Sequence, residues 1–377
     1  MQKEISVDVI MATKLVHYFV TEKDYKAVNI KGINDEIWLE NINGRDKLIR
    51  IVGNPIKNNQ DMAFDIKKTQ TITKKIRRKI MAFKLNVLSF YIKASPGILP
   101  DDKKDMKFVY ASSNEDLAKS SVVKEHFPDI LDKMAFTKEG MGLYLQMTND
   151  INTHNVKDAK RINKTFKKKI PWITYSLIII NIIIYILMLL NPDIAAMGLA
   201  EHNRVYVHNE YYRLITYAFL HSPTDIFHII FNMYSIYMVG CQVESYLGKV
   251  KYLVIYLFSA LTGGLLSVAL NNVGSVGASG AIFGLMGALL YFGFHYRSYI
   301  SGILIKQVLP IIIGNLVIGF LTPGIDNFGH IGGLLGGLSM TMTVGIDYKT
   351  KLSEKIAGVI ISISLIILCI YLGIAKI

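Results

Sequence analysis

The chain has 377 residues, of which 51% are hydrophobic and 19% charged, and its formal net charge is +13. Soluble domains typically contain about 25% charged residues, so this composition excludes a single ordinary soluble domain. The charges are unevenly distributed. After Lys169 there are 10 basic and 8 acidic residues, whereas the preceding part has 32 and 21. We therefore expect two different kinds of unit in one chain.

The first 155 residues are predicted to form a soluble α/β domain. A helix is expected over Val7 to Val20, followed by a three-stranded meander formed by the segments YKAVNI, DEIWLENI and KLIRIVG. Asp61 to Phe83 is typical of a long helix, because its isoleucines recur one turn apart. LNVLSFYI and MKFVYAS predict two further strands, and Asn114 to Leu131 predicts a further helix.

The function of this front domain is open on sequence grounds. Five bases lie within residues 74–79, and such a run is most often the solvated face of an amphipathic helix. Among functional alternatives we favour anionic lipid over nucleic acid, because a membrane domain follows. No metal, nucleotide or phosphate motif occurs, so no cofactor is expected. A role as regulator or substrate adaptor is a hypothesis, with Asp35, Glu36 and Glu40 as a candidate ligand cluster.

Residues 156–170 form a basic linker, and seven apolar segments follow it. A bilayer core about 30 Å thick requires roughly 20 apolar residues per helical span, so each segment is a candidate span. The predicted spans are Trp172 to Leu190, Asp225 to Gln242, Val250 to Leu270, Gly277 to Phe294, Gly302 to Leu321, Gly329 to Gly345 and Ile356 to Ile374.

The distribution of bases between these spans predicts the orientation. Cytoplasmic loops are enriched in Lys and Arg, and the linker and every second loop after it carry most of the bases. We therefore expect a multi-pass protein of the cell membrane with a cytoplasmic amino terminus and an extracytoplasmic carboxyl terminus.

Polar side chains occur in three of the spans, all near the predicted outer face. The second span begins with HSPTDIFHIIFN, which contains His221, His228 and Asn232. The fourth has Ser279 in its first turn, and the sixth has His330 in its first turn. Each residue alone is adequately explained as a packing or interhelical hydrogen-bonding residue. Their coincidence at one depth indicates function, because polar groups within a bilayer are costly.

The chemistry that fits these residues is nucleophilic attack on a carbonyl group. Serine becomes nucleophilic when a base removes its proton, and histidine is the usual base. Ser279 at a helix amino end has free backbone N–H groups nearby, and His228 and Asn232 could donate to the same oxyanion. We expect a Ser279–His330 dyad, with Asp326 ranked low as a third member.

Two rows of small residues provide a way to bring the fourth and sixth spans together. Gly280, Gly284 and Ala288 lie on one face of the fourth span, and glycines 329, 333 and 337 lie on one face of the sixth. Small faces allow helix backbones to approach closely in lipid.

With these motifs in place, the chain resembles the rhomboid intramembrane serine proteases. The resemblance rests on HIIFN, Glu244 after the second span, GASGAIFG and GHIGG, in the family's order. It implies a six-helix core over residues 171–346 plus a seventh helix within 347–377, as in the seven-helix bacterial subgroup. It also implies Ser279 as nucleophile, His330 as general base, His228 and Asn232 at the oxyanion site, and Gly277, Gly280, Phe283, Glu244 and Arg213 in support.

Two positions depart from the family's common pattern. Tyr212-Arg213 replaces a Trp-Arg pair in the first extracytoplasmic loop, which is conservative in type. Phe283 stands where many members have tyrosine, so it can stack on the His330 ring but cannot donate a hydrogen bond.

The resulting prediction is a multi-pass α-helical membrane protein preceded by a soluble α/β domain. Its expected activity is serine endopeptidase cleavage of membrane-spanning segments near the outer face, with transmembrane proteins and membrane lipids as partners. The alternative is a catalytically silent rhomboid-like binding protein, against which the presence of Ser279 and His330 argues. A transporter would require internal repeats, and none is convincing.

Overall fold

The computed structural model describes residues 5–30, 32–33, 35–82, 84–95, 97–271, 274–300 and 302–376. The chain divides into two compact units, Met1–Ile162 and Asn163–Ile377. The predicted domain boundaries at 155, 170 and 346 remain predictions.

The front unit is built around a five-stranded sheet with strand order β1-β2-β3-β4-β5. The strands are β1 (Lys26–Ala27), β2 (Glu36–Glu40), β3 (Leu48–Val52), β4 (Val87–Tyr91) and β5 (Met106–Tyr110). The first three pair antiparallel, as the predicted meander requires. The β3–β4 and β4–β5 pairs are parallel. All five residues of β3 and of β4 are buried, because helices cover these central strands.

Helices of the front unit follow the sequence prediction at two places and differ at a third. α1 (Val7–His17) continues into a π-helical turn, and α2 (Asn59–Lys79) is the expected long helix. Phe83, the predicted end of α2, lies outside the described residues. The prediction of a single helix over 114–131 is wrong. The segment forms three short helices, α3 (Asn114–Lys119), α4 (Ser121–His126) and α5 (Ile130–Lys133).

Two residues cause these breaks. Ser120 has an extended backbone, and its hydroxyl accepts a hydrogen bond from the Val123 N–H, so it caps a new helix. Pro128 disfavours a helical conformation at Phe127, which terminates α4. A further helix, α6 (Gly140–Phe166), occupies most of the basic segment that precedes the first span.

The second unit is entirely helical except for one isolated bridge, within the described residues. Its longer helices are α7 (Trp172–Leu190), α10 (Ile226–Ser235), α11 (Cys241–Leu247), α12 (Lys249–Leu270), α13 (Ser279–His295), α14 (Ile303–Leu321), α15 (Asn327–Val344) and α16 (Leu352–Ile374). The short helices α8 (Asp193–Gly198) and α9 (Arg213–Thr216) lie between α7 and α10. A π-helical turn joins α10 to α11, so the two form one continuous span, Ile226–Leu247.

Five of these helices are long and apolar enough to cross a membrane: Trp172–Leu190, Ile226–Leu247, Lys249–Leu270, Ile303–Leu321 and Leu352–Ile374. α13 is a shorter apolar helix of 17 residues, and α15 has 18 residues with many glycines. The protein is therefore a multi-pass helical membrane protein. α12 is its central helix, because 67% of its most apolar stretch is buried, whereas the corresponding stretches of the other four helices are only 22–28% buried.

Glycines set the distance between the central helices. A methyl group built on Gly280 would lie 3.2 Å from the Gly329 carbonyl oxygen, and one on Gly284 would lie 2.8 Å from that of Gly333. Such spacing leaves no room for a side chain between α13 and α15. The two predicted rows of small residues therefore do face each other, and this contact brings the amino ends of α13 and α15 together.

Candidate active site

Ser279 is the first residue of α13, and the backbone before it fixes its position. Gly277 has φ +119°, a conformation that residues with a side chain rarely adopt. Its N–H donates to the Tyr217 carbonyl oxygen at 3.0 Å. The first helical hydrogen bond of α13 runs from Ile282 to Ala278. The N–H groups of residues 279–281 therefore lie outside the helical ladder and remain for another acceptor.

His330 lies in the first turn of α15, and its Nε2 is 2.8 Å from the Ser279 hydroxyl oxygen. The Phe283 ring stacks on the imidazole, with ring centroids 4.3 Å apart and an angle of 10° between the planes. Nδ1 of His330 has no hydrogen-bond partner among the described residues. The arrangement is a Ser/His pair in which one imidazole nitrogen is free to carry a proton.

Asp326 precedes His330 by one turn but makes no hydrogen bond to its ring among those described. Its carboxylate accepts hydrogen bonds from the Gly329 N–H at 2.8 Å, the Asn271 amide at 2.6 Å and the Ser275 hydroxyl at 2.6 Å. The carboxylate is thus occupied by helix capping and by the loop before α13, rather than by orienting the imidazole.

His228 and Asn232 lie one turn apart on α10. The Ser222 N–H donates to Nδ1 of His228 at 3.4 Å, which favours a proton on Nε2. A methyl group built on Gly277 would lie 2.7 Å from that Nε2, so the imidazole edge faces the backbone that leads into Ser279. The Asn232 amide donates one hydrogen to the His228 carbonyl at 2.7 Å and retains a second N–H.

Glu244 and Arg213 support the arrangement from a distance. Glu244 lies within α11, not after the span as expected, because the helix extends to Leu247. Its carboxylate accepts from the backbone N–H groups of Ile173 and Thr174, at 3.0 and 2.8 Å, and so caps α7. Arg213 donates to the Ala196 and Leu199 carbonyl oxygens at 2.7 and 3.0 Å, which shapes the loop between α7 and α10.

Two further residues at the site have no role in the prediction from sequence. Tyr217 is fully enclosed, donates to the Ala260 carbonyl oxygen at 2.9 Å and accepts the Gly277 N–H, so it ties α12 to the start of α13. Its only sequence signal is an aromatic residue in a loop. His221 is completely buried 5.2 Å from the His228 ring, and neither of its ring nitrogens has a well-formed partner among the described residues.

The acidic cluster of the front unit does not form one site. Glu36 is buried and pairs with Arg50 and Lys68, whereas Asp35 is exposed. Burial alone would raise the pKa of the Glu36 carboxyl, but the hydrogen bonds from Arg50 and Lys68 outweigh it and lower that pKa. No cluster of three metal-ligating side chains occurs in the part of the chain that the structure describes.

Comparisons with known proteins agree with this geometry. A family model described as Rhomboid domain matches residues 208–346. This range includes Ser279 and His330 as well as His228 and Asn232. The chain is 28% identical over 365 residues to rhomboid protease GluP of Bacillus subtilis, covering 91% of this chain and 70% of that protein.

Plant proteins match a smaller share of the chain. RHOMBOID-like protein 6, mitochondrial, of Arabidopsis thaliana is 41% identical over 149 residues, or 38% of this chain and 47% of its own length. Inactive RHOMBOID-like protein 8 of the same plant is 37% identical over 132 residues, or 34% of this chain and 36% of its own length. The motifs, the helix arrangement and these matches agree, and residues 208–346 of the chain match the rhomboid domain.

Proposed function

We propose that this protein is an intramembrane serine protease that cleaves membrane-spanning segments of other proteins. The observation that carries the proposal is the 2.8 Å contact between the Ser279 hydroxyl and His330 Nε2 inside a helical membrane unit. A serine that only packs needs no base at its hydroxyl. The name of the GluP relative, a rhomboid protease, supports the same activity.

In the proposed reaction His330 Nε2 takes the proton of the Ser279 hydroxyl as its oxygen attacks the peptide carbonyl carbon. The resulting imidazolium then protonates the leaving amine, which leaves an acyl group on Ser279. Water then attacks this ester while giving a proton to His330. The imidazolium passes that proton to the Ser279 oxygen as the ester bond breaks, so the carboxylic acid leaves and the serine is regenerated. Phe283 holds the imidazole plane throughout, so the two residues act as a dyad without a carboxylate partner.

The negative charge that forms on the carbonyl oxygen requires donors. The proposed donors are the N–H groups at the start of α13, Nε2–H of His228 and the second N–H of the Asn232 amide. One such donor is worth about 2.7–4 kcal/mol in transition-state stabilisation. The Asn232 amide nitrogen gives one hydrogen to the His228 carbonyl, and its second hydrogen remains for this role.

The predicted orientation places this chemistry near the extracytoplasmic face. The basic segment before α7 and the bases between the later spans favour a cytoplasmic amino terminus in a cell membrane. With that orientation, the amino ends of α10, α13 and α15, which carry all four residues, are in the outer half of the bilayer.

A silent rhomboid-like binding protein is the second candidate. It is favoured by one observation, namely that a relative 37% identical over 132 residues is named inactive. Such a protein would bind membrane helices without forming an acyl-serine.

The decisive experiment compares three proteins purified in detergent: the parent, Ser279→Ala, and Ser176→Ala as a matched control on the exposed face of α7. Each is incubated with a single-span substrate and, separately, with a fluorophosphonate probe that labels activated serines. We expect cleavage and labelling in the parent and the control, and neither in Ser279→Ala. A parent that binds substrate but is neither cleaving nor labelled would establish the binding protein instead.

A further inference from the structure

The mechanism leaves a partly buried polar junction unused, at the end of the membrane unit where Ser279 and His330 meet. Its centre is the Asp326 carboxylate, which accepts hydrogen bonds from the Gly329 N–H, the Asn271 amide and the Ser275 hydroxyl. We call these four residues the Asp326 junction. Hydrogen bonds to a carboxylate are shorter and stronger than neutral ones, so the junction is a firm connection.

The junction joins the two segments whose relative position decides the Ser279–His330 distance. Gly329 immediately precedes His330, and the His330 N–H donates to the Asp326 carbonyl oxygen at 3.1 Å. Asn271 ends α12, and Ser275 lies four residues before Ser279. A single carboxylate therefore ties the first turn of α15 to the loop that leads into α13.

Ser275 extends the junction to the loop between α7 and α10. Its backbone N–H and carbonyl form a two-bond bridge with Ala200, at 2.8 and 3.2 Å. Arg213 holds the same loop through the carbonyl of Leu199, the residue before Ala200. The loop is therefore hydrogen-bonded to Ser275, and Ser275 is hydrogen-bonded to Asp326.

The last span reaches the junction from the other side. Near the carboxyl end of α16, Lys376 donates to the carbonyl oxygen of Asn271. About two turns earlier, the Tyr206 hydroxyl donates to the Cys369 carbonyl oxygen at 3.3 Å. The seventh helix is therefore bonded to the residue whose side chain holds Asp326.

We propose that Asp326 is a positioning residue that holds His330 at reactive distance from Ser279, and that the seventh helix contributes to this positioning through Lys376 and Asn271. This inference rests on the proposed protease function. Asp326 touches neither the substrate nor the imidazole. It acts by fixing where α15 begins relative to α13, and a misplacement of about 1 Å at a catalytic pair can cost about 100-fold in rate.

The test uses the full chain in detergent and measures kcat, KM, the fluorophosphonate acylation rate constant and the melting temperature. The variants are Asp326→Ala, Asp326→Asn, Ser275→Ala and Lys376→Met. Asp193→Ala is the control for loss of a carboxylate at the same predicted membrane face, because Asp193 is exposed. Lys351→Met is the control for loss of a lysine at the opposite end of α16.

We expect Asp326→Ala to lower kcat and the acylation rate constant together, by about 10- to 100-fold, with KM unchanged. Asp326→Asn should retain most activity, because its oxygen can accept from Gly329 and Asn271 while its amide donates to Ser275. Ser275→Ala and Lys376→Met should produce smaller losses, of a few fold. Both controls should match the parent.

Two results would overturn the inference while leaving the protease intact. One is an acylation rate in folded Asp326→Ala equal to that of the parent, even with a lower melting temperature. The other is an equal loss in Asp326→Asn and Asp326→Ala, which would assign the effect to charge and not to position. If Asp326→Ala fails to fold, the other two variants decide. A loss of a few fold in Ser275→Ala with most activity retained in Asp326→Asn supports the inference, and a parental acylation rate in Ser275→Ala overturns it. An unlabelled parent would instead refute the protease function itself.

Discussion

Each unit of this protein buries a cluster of polar side chains, and the two clusters differ in how completely they are hydrogen-bonded. In the front unit, Arg50 forms a two-bond pair with Asp65 at 2.5 and 2.6 Å and also pairs with Glu36 at 2.6 Å. In the membrane unit, His330 Nδ1 and Asn232 Oδ1 have no partners among the described residues. A satisfied cluster stabilises a fold, whereas polar atoms left unpaired in a buried site mark a place for chemistry.

The front cluster is closed because its members come from four elements. Glu36 lies on β2, Arg50 on β3 and Asp65 on α2. The Tyr91 hydroxyl on β4 donates to Asp65 at 2.8 Å, and Trp38 donates its indole N–H to Glu36 at 3.0 Å. The guanidinium N–H groups of Arg50 already have acceptors within the cluster. We therefore expect this cluster to contribute to stability and not to ligand binding.

The largest expected effect comes from opening the closed cluster. Arg50→Met would leave two carboxylates buried without their main partner, which typically costs about 3–5 kcal/mol. Trp38 is a local reporter, since its ring lies 5.4 Å from the guanidinium carbon. Urea unfolding followed by its fluorescence, in a background with Trp172→Phe, should show the loss. The triple variant Arg50→Met/Glu36→Gln/Asp65→Asn is the control and should lose less. A single variant as stable as the parent would contradict the comparison.

A slightly smaller effect is expected at the open cluster, and on rate instead of stability. Asn232→Ala removes one proposed oxyanion donor and should lower kcat by about 10²–10³-fold with little change in melting temperature. Asn315→Ala is a matched control. The Asn315 amide makes the same bond to the backbone four residues earlier, 2.8 Å to the Ile311 carbonyl, on another span. Equal activity in the two variants would remove Asn232 from the mechanism.

Acid should distinguish the clusters further. Burial opposes ionisation of Glu36 and Asp65, but hydrogen bonds from Arg50 outweigh it and lower the pKa of both carboxyls. Their stabilising contribution is therefore complete above the usual carboxyl pKa of about 4 and is lost as pH falls below it. The Trp38 unfolding midpoint should drop over that range in the parent. In Arg50→Met it should stay level or rise, because the unpaired carboxylates gain protons readily. A parallel drop in both would refute the assignment.

The smallest effect is expected from the ring that covers the open cluster. Phe283→Leu removes the stacking on His330, a contact worth about 0.5–1.5 kcal/mol, and should lower kcat by about threefold to tenfold. Phe283→Tyr keeps the stacked ring and should remain close to the parent. The fluorophosphonate acylation rate measures both. A Leu variant with the parental rate would show that the imidazole needs no support from this ring.

Much of the membrane unit could be predicted from local sequence. Hydropathy located the spans because lipid imposes the same length on each of them. Ser279, His330, His228 and Asn232 could be selected because polar residues are rare at that depth, and the glycine rows indicated which spans would meet. The roles of these residues remain proposals, although the structure brings Ser279 and His330 into contact and sets His228 against Gly277.

The remaining features depend on contacts between distant parts of the chain. Arg50 lies in the apolar segment LIRIV, and nothing nearby indicates that its partners are Glu36 and Asp65, 14 and 15 residues away. Tyr217 and Asp326 likewise gain their roles from residues on other helices. The three short helices in place of one show a different limit, because a capping serine and a proline outweighed the periodicity.

The contact between α13 and α15 has a consequence for variation in this protein. A methyl group on Gly284 would meet the Gly333 carbonyl at 2.8 Å, and Ser259 lies closer still. In most protein interiors the harmful change is loss of volume, but here it is gain of volume. The informative mutational series is therefore one of enlargement. Replacing Gly284 by alanine and then by valine should progressively widen the gap between two helices, a distance that pairwise spin-label measurements would record directly.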